Sequence, residues 1–254
     1  MSALTFIQPT WPVNKRVFCA STTVNGGVSD SPFKGLNLGA HVGDDLNLVN
    51  KNRQLLINEI NRRMPEAQGI SWLNQTHSTK VLSLTKKIQA GTIEADGAYT
   101  NLINLPCTVM TADCLALMMS NKDGTEIAAV HAGWKGLLNG VIENGVSKFS
   151  SNRSDIHVWF APSICMQHFE VGEDVAKLFS VFPSALQAIS NSNNKFLLNL
   201  LEVASQKLNS LGVTQHYYSN VCSYSSSNLF SHRRATHQGL STCGRMANLI
   251  LINN

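Results

Sequence analysis

The chain has 254 residues, 43% of them hydrophobic and 14% charged, which excludes a disordered polyelectrolyte and suffices for one large domain or two small ones. Twenty Lys and Arg against 16 Asp and Glu leave a net charge of only +4. That is too little for a nucleic-acid binder built on dense basic patches, but it suits a small anion such as phosphate. No window approaches about 18 uninterrupted apolar residues, and the opening segment to Pro9 has neither a basic start nor a long apolar run, so the expectation is a cytoplasmic protein without a membrane span or export signal.

Val17–Thr23, rich in β-branched residues, predicts a strand that runs into a Gly26-Gly27 turn. Over Leu46–Met64 the apolar residues Leu48, Leu55, Leu56, Ile60 and Met64 approach helical spacing and stop before Pro65. Trp72–Gln75 and Val81–Leu84 read as strands on either side of a Thr76–Thr79 bend. Cys107–Thr111, Leu115–Ser120 and Glu126–His131 are three apolar strands, the last two joined by a loop with an Asp123-Gly124 hairpin signal. From Gly133 to Phe149 the period changes to that of one helix, with Leu137, Leu138, Val141, Ile142, Val146 and Phe149 on its apolar face. A strand at Val158–Ala161, helices at Gly172–Val181 and Leu198–Leu211, and strands at His216–Ser219 and Ala247–Ile252 complete the series. Ser190–Asn194 and Ser223–Asn228 read as loops, and no fixed-period repeat divides the chain. Helices interrupt the strands irregularly, so the expected fold is α+β: a single domain, residues 1–254, of mixed β-sheets flanked by helices.

The six cysteines are scattered, without a CxxC pair, and in a chain of this size predict free thiols rather than a disulfide scaffold. Cys19 and Cys107, among apolar residues, read as core fillers. Three segments concentrate reactive groups at strand ends: Asn74-Gln-Thr-His-Ser78, Thr111-Ala-Asp-Cys-Leu115 and Ala129-Val-His-Ala-Gly-Trp-Lys-Gly136. Two imidazoles and a thiolate, His77, Cys114 and His131, make a ligand set for a catalytic zinc with an open fourth position. Their spacing matches no short zinc motif, so two other readings stay open: a core thiol beside two loop histidines, and a Cys114 nucleophile with His131 or His77 as its base. Asp113 reads as a partner that orients a histidine, an acid/base, or an ordinary turn carboxylate. Arg233, Arg234 and Arg245 bring three guanidinium forks into a short C-terminal span suited to phosphate or carboxylate, or else to a solvated loop. His41 is a further candidate beside the site, or a structural histidine.

In this order, Gly27-Val-Ser, Pro32-Phe, the Leu36–Asp45 stretch around His41, Gln75-Thr-His77, Thr111-Ala-Asp-Cys-Leu115, His131-Ala-Gly-Trp-Lys-Gly136 and Phe230-Ser-His-Arg-Arg234 resemble the YfiH-type laccase-domain family. That family is also called polyphenol oxidase and purine nucleoside phosphorylase. The resemblance runs from about residue 25 to the C-terminus and rests chiefly on the Ala-Asp-Cys and His-Ala-Gly-Trp segments together. It implies a catalytic zinc on His77, Cys114 and His131, with copper as the alternative metal. It also implies phosphorolysis of adenosine, inosine and S-methyl-5′-thioadenosine, with adenosine deamination as a side activity. Catalytic roles then fall to Cys114, His131 and Asp113, and substrate or phosphate binding to Lys135, Arg233, Arg234, Arg245 and His41. The implied partners are nucleosides and phosphate, with no nucleic acid and no membrane. Three features depart from the family pattern: Lys135 replaces an Arg and so loses the fork, Cys243 stands where Thr is usual, and the Thr236–Thr242 segment is lengthened. Two other enzymes compete: a cysteine hydrolase or deamidase using Cys114 and His131, and a copper-dependent polyphenol oxidase. The oxidase is weakened by eight histidines without a His-x-His pair. A nucleotide- or metal-sensing binding module is the non-enzymatic alternative.

Overall fold

Apolar side chains alternate along the last strand: Ala247, Leu249 and Leu251 enter one buried cluster, Ile250 and Ile252 another. A strand covered on both faces demands layers on both sides. The computed structural model describes residues 3–190, 192 and 194–254. Its strands are β1 (Phe6–Ile7), β2 (Val17–Thr22), β3 (Val81–Ser83), β4 (Gly97–Thr100), β5 (Cys107–Thr111), β6 (Leu115–Asn121), β7 (Ile127–Ala132), β8 (Ile156–Phe160), β9 (Glu170–Gly172), β10 (Leu186–Ala188), β11 (Lys195–Leu198), β12 (Gln215–Tyr218) and β13 (Met246–Ile252). Its α-helices are α1 (Leu46–Arg63), α2 (Trp134–Asn139), α3 (Val141–Val146), α4 (Glu173–Leu178), α5 (Leu200–Ser210) and α6 (His232–His237).

These build a four-stranded sheet, β1-β2-β13-β5, and a six-stranded sheet, β12-β8-β6-β7-β4-β3, with β10-β11-β9 as a small third sheet. Only the outer pairs of the six-stranded sheet, β12·β8 and β3·β4, are parallel, so the α+β expectation of mixed sheets holds. Along β6, Leu115, Leu117 and Met119 point toward α2, α3 and α5, while Ala116 and Met118 face the four-stranded sheet. The far face of that sheet packs on α1 through Leu56 and Ile60. Truncating a fully buried side chain such as Leu117 would cost about 2–5 kcal/mol.

Four expectations are corrected. The buried stripe of α1 is Val49, Asn52, Leu56 and Ile60, rotated from the predicted Leu48 and Leu55. It turns because Asn52 is needed inside: its side chain accepts from the Val28 N–H at 2.8 Å and donates to the carbonyls of Gly35 and Asn37 at 3.1 and 2.9 Å. Trp72–Gln75 is not a strand. The Gln75 amide instead accepts from the Met110 N–H at 2.7 Å and donates to the Met110 carbonyl at 2.9 Å, a side chain taking a neighbouring strand's place. The Gly133–Phe149 helix breaks at Gly140, whose φ of 103° ends α2 in the left-handed region that glycine alone adopts freely. The Gly172–Val181 helix shortens to α4, because Glu170–Gly172 pairs with β11 instead. Ser223–Asn228 is a loop as expected, whereas the Ser190–Asn194 run includes Asn191 and Asn193, which lie outside the described residues. Cys19 and Cys107 are buried among apolar neighbours. Among the described residues no helix is long and apolar enough to cross a membrane.

Candidate metal centre

All three predicted ligands hang from the six-stranded sheet. His131 lies near the end of β7 and is 4% exposed. Cys114 immediately precedes β6, and His77 belongs to the bend before β3. Their ligand atoms lie within 4.8 Å of one another. Cys114 Sγ is 3.9 Å from His77 Nε2, and the two imidazole rings meet edge to face with centroids 4.9 Å apart. Gly133 makes the convergence sterically feasible, since a Cβ there would sit 2.8 Å from His77 Cδ2 and 3.1 Å from Cys114 Sγ.

A residue absent from the sequence reading organises the group. Asp96, fully buried just before β4, accepts from His131 Nδ1 at 2.7 Å and from the His77 N–H at 3.0 Å. Its other oxygen accepts from the Ser78 N–H at 2.6 Å and hydroxyl at 2.8 Å. Burial opposes the charge on Asp96, but the bonds and charge of His131 and the bonds of Ser78 outweigh it and hold the carboxyl below its ordinary range. These bonds also hold His77 at a φ of 59°, left-handed for a non-glycine residue. With Nδ1 given to Asp96, His131 presents Nε2 to the site, the usual second partner of a metal-ligating histidine. An acid just before a glycine-led strand, Glu94-Ala-Asp-Gly97, is the signal that could have found it.

Burial also opposes a thiolate at Cys114, yet the charge and hydrogen bonds of His131 and His77 bring the thiol down to about 6. His131 shifts the opposite way, up to about 9, as Cys114 and Asp96 overcome its burial. A thiol drawn toward the thiolate, a histidine oriented by Asp96 and a third convergent nitrogen fit a zinc-class ion, which takes such nitrogen and sulfur donors tetrahedrally and displaces their protons on binding.

The triad opens into a cavity of about 420 Å³ that His41, Asp113, Arg233 and Arg245 also line. Apolar walls come from Met110, Trp134, Ile164, Phe169 and Leu200. Arg233 donates to the His168 and Glu170 carbonyls at 3.3 and 2.9 Å. Arg245 donates to the Cys243 and Gly244 carbonyls at 2.7 and 3.1 Å and lines the cavity, so the Thr236–Thr242 segment does not remove it from there. His41 is held below its ordinary value by burial and by the charges of Arg245 and Arg53.

Two predicted cations lie outside this lining. Lys135 is exposed, its Nζ 5.5 Å from the centroid of the Trp134 ring. Arg234 turns its guanidinium to the carbonyls of Ser223, Tyr224 and Ser226 at 2.8–2.9 Å, and to that of Leu229, tying a loop together. Asp113, at a φ of 91°, accepts from the Ser223 hydroxyl at 2.6 Å and the Arg233 N–H at 2.7 Å. Its carboxylate shapes the cavity wall rather than reaching for a histidine.

Comparison with known proteins covers nearly the whole chain. A relative from Haemophilus influenzae named purine nucleoside phosphorylase is 41% identical over 96% of this chain and 98% of its own length. Escherichia coli (strain K12) purine nucleoside phosphorylase YfiH is likewise 41% identical, over 96% of this chain and 97% of its own. The crystal structure of Neisseria meningitidis protein NMB0706 superposes with a TM-score of 0.87 at 34% identity, covering 98% of this chain and 99% of that one. The family model described as multi-copper polyphenol oxidoreductase laccase matches residues 18–253, and the chain belongs to this laccase-domain family.

Proposed function

We propose that the chain is a purine nucleoside phosphorylase acting on adenosine, inosine and S-methyl-5′-thioadenosine, with adenosine deamination as a second activity and zinc on His77, Cys114 and His131. The observation that carries this reading is a single cavity joining a metal-capable triad to Arg233, Arg245 and His41. The names of the relatives support the reaction class.

In phosphorolysis a phosphate oxygen bonds to the ribose C1′ as the C1′–N9 bond breaks, and the bond electrons leave with the purine. Arg233 and Arg245 hold the phosphate, since guanidinium N–H groups beyond those given to backbone carbonyls can face the anion. His41, beside Arg245 in the same cavity, offers a further nitrogen to the anion. Trp134 and Phe169 cover the flat base and exclude water from the bond being cleaved. A zinc-class ion, when bound, supplies Lewis-acid stabilisation of developing negative charge. Asp96 fixes the orientation of His131 and the position of His77 throughout.

A cysteine hydrolase is the second reading, favoured by the thiolate and imidazolium character of Cys114 and His131. Metal analysis of protein purified without chelator, paired with nucleoside turnover with and without phosphate, separates the two. Phosphate-dependent release of base by metal-loaded protein is expected. Phosphate-independent turnover by metal-free protein would overturn the proposal.

A further inference from the structure

A second group of soft donors gathers outside the cavity, where residues 163–169 meet residues 222–225. The ligand atoms of Cys165, His168 and Cys222 lie within 4.8 Å of one another. His168 Nδ1 is approached by Cys165 Sγ at 3.2 Å, Cys222 Sγ at 3.6 Å and Ser225 Oγ at 3.4 Å. A ring nitrogen has one proton or one lone pair, so a hydrogen bond satisfies only one of the three, whereas a shared cation can serve both thiolates and the nitrogen. In a tetrahedral site with Zn–S of about 2.3 Å and Zn–N of about 2.0–2.1 Å, the S···N edge is about 3.5 Å, and the two observed edges bracket that value.

The frame around these donors is already rigid. The Cys165 N–H donates to Cys222 Sγ at 3.3 Å. Ser163 pairs with Cys222 as a parallel bridge, and the Ser223 N–H donates to the Ser163 carbonyl at 2.9 Å. The His168 ring stacks on Tyr224 with centroids 4.3 Å apart. All three donors are half-buried, with both thiols free, so an ion can reach them from solvent.

We propose that Cys165, His168 and Cys222 form a second metal site, for a thiophilic cation of the zinc class, with its open position toward solvent. The site braces one wall of the main cavity. The Ile164 N–H donates to the Asp113 carbonyl at 2.9 Å, the Ser223 hydroxyl to the Asp113 carboxylate at 2.6 Å, and Arg233 to the His168 carbonyl at 3.3 Å. Each of the segments that supply the donors therefore also holds a residue of that wall.

The test loads reduced full-length protein with Zn²⁺, removes free metal and counts bound zinc, then repeats the loading with Co²⁺. Cys114→Ser, which removes a ligand of the first site, is expected to keep about one equivalent of zinc and to show thiolate-to-cobalt charge-transfer absorption. Adding either Cys165→Ser or His168→Ala should abolish both signals while circular dichroism stays native. Unchanged zinc content and cobalt spectrum after these additions would overturn the proposal. So would a Cys114→Ser protein that binds no zinc with its thiols reduced. Should the first site hold no metal, the wild type binds about one equivalent rather than two and still loses it with Cys165→Ser, so the two failures are distinguishable.

Discussion

One oxygen of Asp96 serves both histidines of the candidate metal centre, accepting from the His131 ring at 2.7 Å and from the His77 backbone at 3.0 Å. The tautomer of one ligand and the chain position of the other are thereby set by a single buried carboxylate. Asp96→Asn is expected to weaken metal binding about 10- to 100-fold, read by competition with a chromogenic chelator. The amide cannot accept every bond the carboxylate does, so thermal stability falls as well. An unchanged metal affinity would show that the histidines are held by other contacts.

Cys114→Ala should abolish turnover and lose the metal equivalent bound by the His77–Cys114–His131 group while leaving the fold intact, since among the described residues no other thiol joins this cluster. Metal content is the deciding measurement. A dead enzyme with full metal occupancy would make Cys114 the nucleophile of a hydrolase.

Gly133→Ala separates packing at the centre from backbone stability. With φ −61° and ψ 159° the backbone accepts alanine, but the new Cβ would press on His77 and Cys114 at 2.8 and 3.1 Å. Metal affinity should drop at least tenfold while the melting temperature of the metal-free protein stays within a few degrees. Equal metal affinity for the two proteins would mean that His77 moves aside at no cost.

The convergence of His77, Cys114 and His131 was legible because each sits inside a short distinctive segment at a strand end. Asp96 was not, because it follows an irregular stretch without periodicity and works through hydrogen bonds that sequence spacing does not encode. Gly140 was legible as a helix stop in principle, but the unbroken apolar face from Leu137 to Phe149 overrode it. The sequence counted Arg233, Arg234 and Arg245 alike as cations. Only tertiary structure shows that Arg234 faces loop carbonyls while the other two line the cavity. Cys165 and Cys222 are 57 residues apart, and nothing local to either announces the other.

The arginines should separate by function. Arg245→Gln and Arg233→Gln are expected to raise the apparent KM for phosphate more than that for inosine. Arg234→Gln, which unties three to four loop carbonyls, should lower stability by roughly 1–3 kcal/mol with little selective effect on phosphate. Inosine cleavage should require phosphate and adenosine deamination should not. Inosine cleavage at full rate without phosphate would mark a hydrolase.

Acid stability should depend on Glu126, which accepts from the Tyr99 hydroxyl at 2.6 Å and from the N–H groups of Ser150 and Ser151 at 2.8 and 3.0 Å. Burial opposes its charge, but bonds from Ser151, Tyr99 and Ser150 prevail and bring the carboxyl down to about 2. Folding therefore favours the ionised form. That contribution is complete above the unfolded value of about 4.3 and is lost as pH falls from there toward 2. Glu126→Gln should cost roughly 2–3 kcal/mol at neutral pH, and its urea-unfolding curve should converge with that of the wild type in acid. A gap that stays constant with pH would remove the charge from the explanation.

Of the candidate metal donors, His131 lies in the six-stranded sheet and His77 and Cys114 in segments that lead into it, whereas Arg245 leads into β13 of the four-stranded sheet, and its N–H is held by Asn37 at 2.9 Å beside the segment carrying His41. A metal ion alone would therefore cross-link segments that enter the six-stranded layer. A substrate that touches both the donors and Arg245 ties the two layers together. Strand amides of residues whose side chains meet at the seam, such as Trp159, Val109 and Ile250, should then slow their hydrogen exchange only when metal, nucleoside and phosphate are all present. A cavity filled in this way would act as a joint whose stiffness reports whether the full set of reactants has assembled.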